Sequence, residues 1–378
     1  MNLDFSDDQK LLQEQLRRFL TERCGSQVVR AILDGPEPYD RSLYKGLAEL
    51  GALGAAIPEE YGGVGLGHLE LCLFAEELGR VVAPVPVASS IYLAAEFLLR
   101  AGSEAQKQAW LPKLAAAEAV GCFAFGEVLG RVTRDKIAAS VQGGRLTGVK
   151  WPVADGDCAD FAVVAARSGG GKDERAISLF LVDLNGPGVR RETLQTIDPT
   201  RSQARLTFDG APAEPLGGEG DGWFIAEQVM DRAAVLIAFE QLGGANRALE
   251  MARDYALDRM AFGRPIGSFQ AIKHMLADMY VAGTLARSNA YYGAWALSVS
   301  AAELGVAAAT ARISATEAFQ QCAKNNIQVH GGMGFTWAFD CHLYYRRSNQ
   351  LALALGSLST WEDLLIERMR SADVATAA

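Results

Sequence analysis

RMAFGRPIGSFQAIKHMLADM, residues Arg259 to Met279, joins the end of one helix to the start of the next through a tight turn. Gly263 allows the left-handed backbone such a turn needs, and Pro265 removes a backbone donor and ends the helical pattern. Working outward, apolar residues keep helical spacing on both sides, which predicts long amphipathic helices at about 224–258, 268–301 and 303–329. The last of these runs into QVHGGMGFT (Gln328 to Thr336), whose glycines let backbone N–H groups approach an anion closely. Either stretch alone reads also as a helix stop or a flexible loop.

Upstream the pattern differs. From about Ala119, short runs rich in Val, Ile, Phe and Leu (GCFAFG, AASVQG, DFAVVAAR, ISLFLVD, ARLTF) are separated by Gly and Asp, the chemistry of strands and turns. SGGGKD (Ser168 to Asp173) reads as a flexible hairpin loop. Before Glu118 the spacing is helical, beginning at Ser6 with Asp7 and Asp8, where a hydroxyl caps free N–H groups and the acids oppose the helix dipole. Leu12, Leu16, Phe19 and Leu20 form one apolar face of that helix, and turns fall at PEEYGGVGLG (Pro58 to Gly67) and near Pro84 and Pro86. The expected class is α+β, in three segments: helices over 1–118, a β unit over 119–220 and long helices over 221–378. No G-x-G-x-x-G opens a dinucleotide-binding βαβ unit, so a dinucleotide must be held by another architecture.

The 378 residues are 49% apolar and suffice for a large core. Lys plus Arg number 36 against 45 Asp plus Glu, a net charge of -9 that argues against nucleic acid or an anionic membrane as the main partner. Six scattered cysteines without C-x-x-C pairs read as reduced cytosolic thiols rather than a metal or dithiol centre. With no basic-then-apolar leader and no uncharged run reaching the ~18 residues of a membrane span, a cytoplasmic protein is expected.

RMAFGRPIGSFQAIKHMLADM and QVHGGMGFT resemble the signatures of the acyl-CoA dehydrogenase family. The likeness continues through PEEYGG (Pro58 to Gly63), AEELGR (Ala75 to Arg80), GVKWPVADG (Gly148 to Gly156) and LGGANRALEMARDYALDR (Leu242 to Arg259), covering nearly the whole chain. It implies an N-terminal helical domain, a middle β-barrel or sandwich domain and a C-terminal four-helix bundle, with FAD as cofactor. Arg259, Phe262, Gln270, Gln328, Gly331 and Gly332 would then hold the adenosine diphosphate part of FAD across a subunit boundary. An arginine offers a permanent fork of donors to a diphosphate, which suits Arg259 to that place.

The resemblance also implies a reaction. Family members take a proton from the carbon beside a thioester and pass a hydride from the next carbon to flavin N5, leaving a 2,3-enoyl-CoA. Such a weak carbon acid needs an aimed carboxylate and donors for the enolate oxygen. In many members the carboxylate is a Glu before a C-terminal Gly-Thr or Gly-Ser. Laid on YRRSNQLALALGSLSTWEDLL (Tyr345 to Leu365), that pattern places Leu355 where the Glu stands. Leu355 still offers its N–H to the thioester carbonyl. Some relatives take the base from the helix after the β unit, where Glu240 is the lone carboxylate after the apolar stretch Ala233 to Phe239. The position used by isovaleryl-type relatives falls at Ala233, about 10 Å from Glu240 along the axis. Glu240 is therefore read either as the base for a differently seated substrate or as an ion-pair partner of a neighbouring helix; Asp231 and Glu227 are weaker candidates.

In the β segment the family's Thr-Glu-x-x-x-Gly-Ser-Asp and Trp-Ile-Thr/Ser stretches correspond to GEVLGRVTRD (Gly126 to Asp135) and KWPVADG (Lys150 to Gly156). Gly126 and Val132 replace hydroxyl residues, and Trp151 reads either as a flavin contact or as strand-edge packing. His68, His274, His330 and His342 lack metal-ligand spacing, so no metal is expected; His330 lies inside the second motif. The resemblance implies an acyl-CoA substrate, an electron-transferring flavoprotein as acceptor, and a homodimer or homotetramer. A non-catalytic or half-catalytic place in a heteromeric enzyme, as in members that process steroid side chains, and a non-redox flavoprotein are the alternatives.

Overall fold

The computed structural model describes residues 5–168 and 176–377; all but the first residue of the SGGGKD stretch lie outside them. In chain order the architecture is a helical N-terminal domain, a middle β-sheet domain and a helical C-terminal region. The helical domain comprises α1 (Asp7–Arg23), α2 (Ser26–Asp34), α3 (Arg41–Glu49), α4 (His68–Arg80), α5 (Glu96–Ala101) and α6 (Glu104–Ala115). The strands are β1 (Gly121–Ala124), β2 (Ser140–Gln142), β3 (Arg145–Ala154), β4 (Phe161–Ser168), β5 (Ile177–Asp183), β6 (Val189–Thr193), β7 (Gln203–Pro212) and β8 (Glu214–Leu216). After them come α7 (Gly222–Asp258), the short pair β9 (Met260–Ala261) and β10 (Arg264–Pro265), α8 (Gln270–Ser298), α9 (Leu304–His330), α10 (Cys341–Leu353) and α11 (Leu358–Ala377). The three long helices fall within a few residues of the sequence expectation. By compactness the chain forms two units that cut across chain order: Met1–Val29 with His68–Ala83 and Ala234–Ala378, and Arg30–Gly67 with Pro84–Ala233.

The second unit contains the sheet, in the order β6-β7-β3-β2-β4-β5-β8 with β1 beside β4. The buried central strands β4 and β5 are the apolar runs the sequence displays. Two strands are harder to read. Pro152 in β3 removes a ladder donor, and the β3–β7 register shifts between Lys150 and Val153 to accommodate it. Polar β6 pairs with β7 alone, at the end of the sheet.

Lys150 on β3 is wholly buried and donates to Glu127 Oε1 at 2.7 Å and Phe125 O at 2.9 Å. Glu127 also accepts from the N–H groups of Ala138 and Ala139, at 2.8 and 3.0 Å. The pair therefore ties both ends of the irregular segment 125–139 to the strand. Burial pushes the Lys150 amine down from 10.5 to about 8, with Glu127 opposing. Since the folded value lies below the unfolded one, the unfolded chain holds the extra proton between the two, and this group makes stability rise with pH through that window. Lys150→Met is expected to flatten the rise, whose full extent is on the order of 3 kcal/mol. Urea unfolding at stepped pH checks this; parallel wild-type and variant profiles from about pH 8 upward would refute it.

In the first unit, α4 and α7 cross at backbone contact. A Cβ on Gly79 would stand 1.8 Å from Glu240 O, and one on Gly243 1.8 Å from Glu76 O, so both positions require glycine. Gly244 in turn receives the ring of Phe319 from α9. The acids of AEELGR join these helices: buried Glu77 accepts from Arg17 of α1 at 2.6 Å, and Glu76 from Arg287 of α8 at 3.0 Å. Burial raises the Glu76 carboxyl, while Arg287 holds it down. Arg80 binds Glu250 of α7 through both nitrogens, at 2.9 and 2.7 Å. That motif is thus accounted for as scaffold.

Candidate functional site

The turn after α7 is a two-residue hairpin. Ala261 pairs with Arg264 and Met260 with Pro265, leaving Phe262 (φ 52°) and Gly263 (φ 79°) at its tip. Such hairpins need left-handed backbone at both tip residues, which glycine adopts freely and phenylalanine does not. Phe262 is nonetheless there, 95% exposed, its ring edge-on to Phe269. A strained, solvent-facing aromatic is the kind of outlier from which a ligand contact is inferred. Arg259, one turn beyond Tyr255, is exposed, as is Gln270 at the first turn of α8; the residue before it, Phe269, makes no side-chain cap bond. Gln328 is exposed on the last turn of α9. Gly331 has φ 60°, and Cβ atoms at Gly331 and Gly332 would meet nothing within 4 Å.

The two motifs, distant in sequence, meet through aromatic rings. Tyr255 of α7 stacks on His330 of α9 at 4.1 Å, and Phe339 stands edge-on to both, at 5.8 and 5.4 Å. Burial lowers the His330 imidazole, and the bond from its Nδ1 to Asn326 O (2.8 Å) works the other way. Between them the two motifs offer a permanent cation in Arg259, the N-terminus of α8, glycine backbone open to close approach and an exposed ring. These fit the diphosphate half of FAD.

Glu240 is placed otherwise. It is 3% exposed and receives the Arg347 guanidinium of α10 at 3.5 Å. Arg347, 1% exposed, also donates to the carbonyls of Ala83 (3.3 Å) and Val82 (3.2 Å). Next to Glu240, Gln241 accepts from Arg312 of α9 at 2.7 Å. Burial pulls Arg312 down to about 9, Glu240 opposes this, and the group stays charged at neutral pH. Arg312 also binds Leu351 O closely and Ala354 O at 2.8 Å, supplying donors to carbonyls at the end of α10. Ala354 O belongs to the peptide whose N–H is that of Leu355, which is half-buried with φ 61°. Arg347 and Arg312 are the residues the sequence reading passed over.

In the other unit, Trp151 donates its backbone N–H to Gly126 O at 3.0 Å and its ring lies 4.8 Å below the Arg205 guanidinium. Val132 packs toward Gly126. Glu227 accepts the indole N–H of Trp223 at 2.7 Å. Among the described residues there is no cluster of potential metal ligands and no helix long and apolar enough to cross a membrane.

Two family models match the chain: the acyl-CoA dehydrogenase N-terminal domain over residues 6–118 and the C-terminal domain over 220–369. The chain belongs to the acyl-CoA dehydrogenase family. It is 34% identical to the acyl-CoA dehydrogenase IpdE2 of Mycobacterium tuberculosis, over 93% of this chain and 94% of that protein. Among solved structures it is similar to a glutaryl-coenzyme A dehydrogenase in complex with glutaryl-CoA (TM-score 0.91, 27% identity, covering 98% of this chain and 97% of that one). It is likewise similar to the ChsE4-ChsE5 complex of Mycobacterium tuberculosis (TM-score 0.88, 28% identity, covering 98% and 99%). As an acyl-CoA dehydrogenase it is an FAD-type oxidoreductase acting on acyl-CoA thioesters.

Proposed function

We propose that this chain is the cofactor-sharing, base-lacking subunit of a heteromeric acyl-CoA dehydrogenase. Arg259, Phe262, Gln270, Gln328, Gly331 and Gly332 hold the adenosine diphosphate half of an FAD whose reactive ring serves a homologous partner subunit, and that subunit supplies the carboxylate for α-proton removal. When bound, FAD supplies the acceptor for the β-hydride, and an electron-transferring flavoprotein reoxidises it. The observation that carries this reading is the engagement of Glu240: buried against Gly79 and paired with Arg347, it serves to anchor α10. The chain's own β segment agrees, since Gly126 and Val132 offer no hydroxyl where the family pattern has one. One similar solved structure is of a complex of two differently named chains, ChsE4 and ChsE5.

The test is colour. The chain purified alone is expected to be colourless, and yellow when co-expressed with a homologous subunit; straight, branched and steroid acyl-CoA thioesters then define which substrate bleaches it. A yellow protein that turns over alone, and loses turnover on Glu240→Gln, would overturn the reading. It would favour instead a single-chain enzyme with Glu240 as base and the Leu355 N–H as carbonyl donor, a reading for which the left-handed Leu355 backbone is the supporting observation.

A further inference from the structure

The cradle is divided between two helix ends, and neither its arginine nor its glycine turn fixes the other's place. One side chain near both ends joins them. Tyr255 lies one turn before Arg259, with the Arg259 N–H bonded to Tyr255 O at 2.9 Å. The glycine turn is bracketed by His330 before it and Phe339 after it, and both rings pack on Tyr255. Both ends of the segment 331–338 are thereby pinned to the helix that carries Arg259. Within the segment, Gly334 folds back on the same anchor: a Cβ there would stand 2.6 Å from Ile327 O and 3.1 Å from His330 Cβ. The His330 ring is oriented by its Nδ1 bond to Asn326 O, and since a carbonyl can only accept, Nδ1 carries the proton.

We propose that Tyr255 is the positioning residue of the cofactor cradle, setting Gly331 and Gly332 against Arg259 so that both can hold the diphosphate of an ADP-containing cofactor. This rests on the reading that the cradle takes the ADP half of FAD. The tyrosine touches no reacting atom; it acts through the turn it pins. The aromatic face carries the role, so Tyr255→Phe preserves it, whereas Tyr255→Leu releases both ends of the turn.

The experiment compares wild type, Tyr255→Phe and Tyr255→Leu, each co-expressed with the partner subunit, by FAD dissociation constant, with ADP titrated calorimetrically as the probe of the cradle itself and thermal unfolding of each variant alongside. Tyr255→Phe is expected to match wild type, and Tyr255→Leu to lose about tenfold in affinity for both ligands from two ring contacts, beyond any shift in unfolding. Should Tyr255→Leu fail to fold, His330→Ala and Phe339→Ala each release one end and are expected to lose about threefold. Unchanged ADP and FAD affinity in Tyr255→Leu, or in both single-end variants, overturns the role of Tyr255 alone. Wild type that takes up neither FAD nor ADP overturns the cradle reading, and the proposal with it.

Discussion

Arg347→Ala is expected to cost about 3–5 kcal/mol of folding stability, because it removes the guanidinium partner of a buried carboxylate. Arg347 donates to Glu240 and to the carbonyls of Val82 and Ala83, and both charged groups are almost fully excluded from water. Removing the arginine takes one donor from three buried acceptors at once, and each lost buried hydrogen bond is itself costly. Glu240→Gln should cost less, since an amide oxygen can still accept from Arg347, whose other acceptors, the carbonyls of Val82 and Ala83, remain. The double change Glu240→Leu with Arg347→Leu should recover much of the single-variant loss, as buried pairs replaced by apolar residues of similar size commonly do. Urea unfolding midpoints at fixed pH measure all three. An Arg347→Ala loss under about 1 kcal/mol would mean that Glu240 does not depend on this partner. The same variants separate the two roles of Glu240: an anchor predicts a large stability loss for Arg347→Ala and unchanged turnover of the loaded complex for Glu240→Gln, whereas a base predicts lost turnover for Glu240→Gln.

The helix, strand, helix order was legible because hydrophobic periodicity reports it directly, and the residues of the proposed cradle could be named because Arg259, Phe262 and the two glycines sit in contiguous motifs. The expectation that Leu355 stands where the family's glutamate does rests on the same kind of contiguous stretch. Arg347 and Arg312 were not legible, since an arginine in an amphipathic helix is ordinarily a surface residue. Yet a signal was present. Tyr344, Arg347, Ser348 and Leu351 share one helical stripe, as do Ala308, Arg312, Ala315 and Phe319, and all are buried. A cation on an apolar stripe must find acceptors, but those acceptors are Glu240 and backbone carbonyls such as Val82 O, far off in sequence. Periodicity names a buried face without naming what covers it. For that reason too the grouping of α1 and α4 with the C-terminal helices emerges only from the fold.

Arg259→Ala is expected to weaken FAD retention by about two orders of magnitude, since one or two charge-assisted hydrogen bonds to a diphosphate are each worth about 1.5–3 kcal/mol. Nothing else in the turn can replace it. Phe262 presents an apolar ring, Gly263 only backbone, and Arg264 lies 4.2 Å over the Phe269 ring. Arg259→Lys keeps a point charge but loses the planar fork, so about a tenfold loss is expected. Because Arg259 is exposed in the chain and does not hold the helices together, thermal unfolding without cofactor should be unchanged in either variant. The measurement is the FAD dissociation constant of the complex by fluorescence recovery at two salt concentrations. A wild-type affinity that falls with salt more steeply than that of Arg259→Ala would place the guanidinium on the diphosphate, since screening acts on the charged contact and not on ring stacking. Equal affinity in all three proteins would remove Arg259 from the cradle and leave the glycine turn and the first turn of α8 to hold the anion unaided.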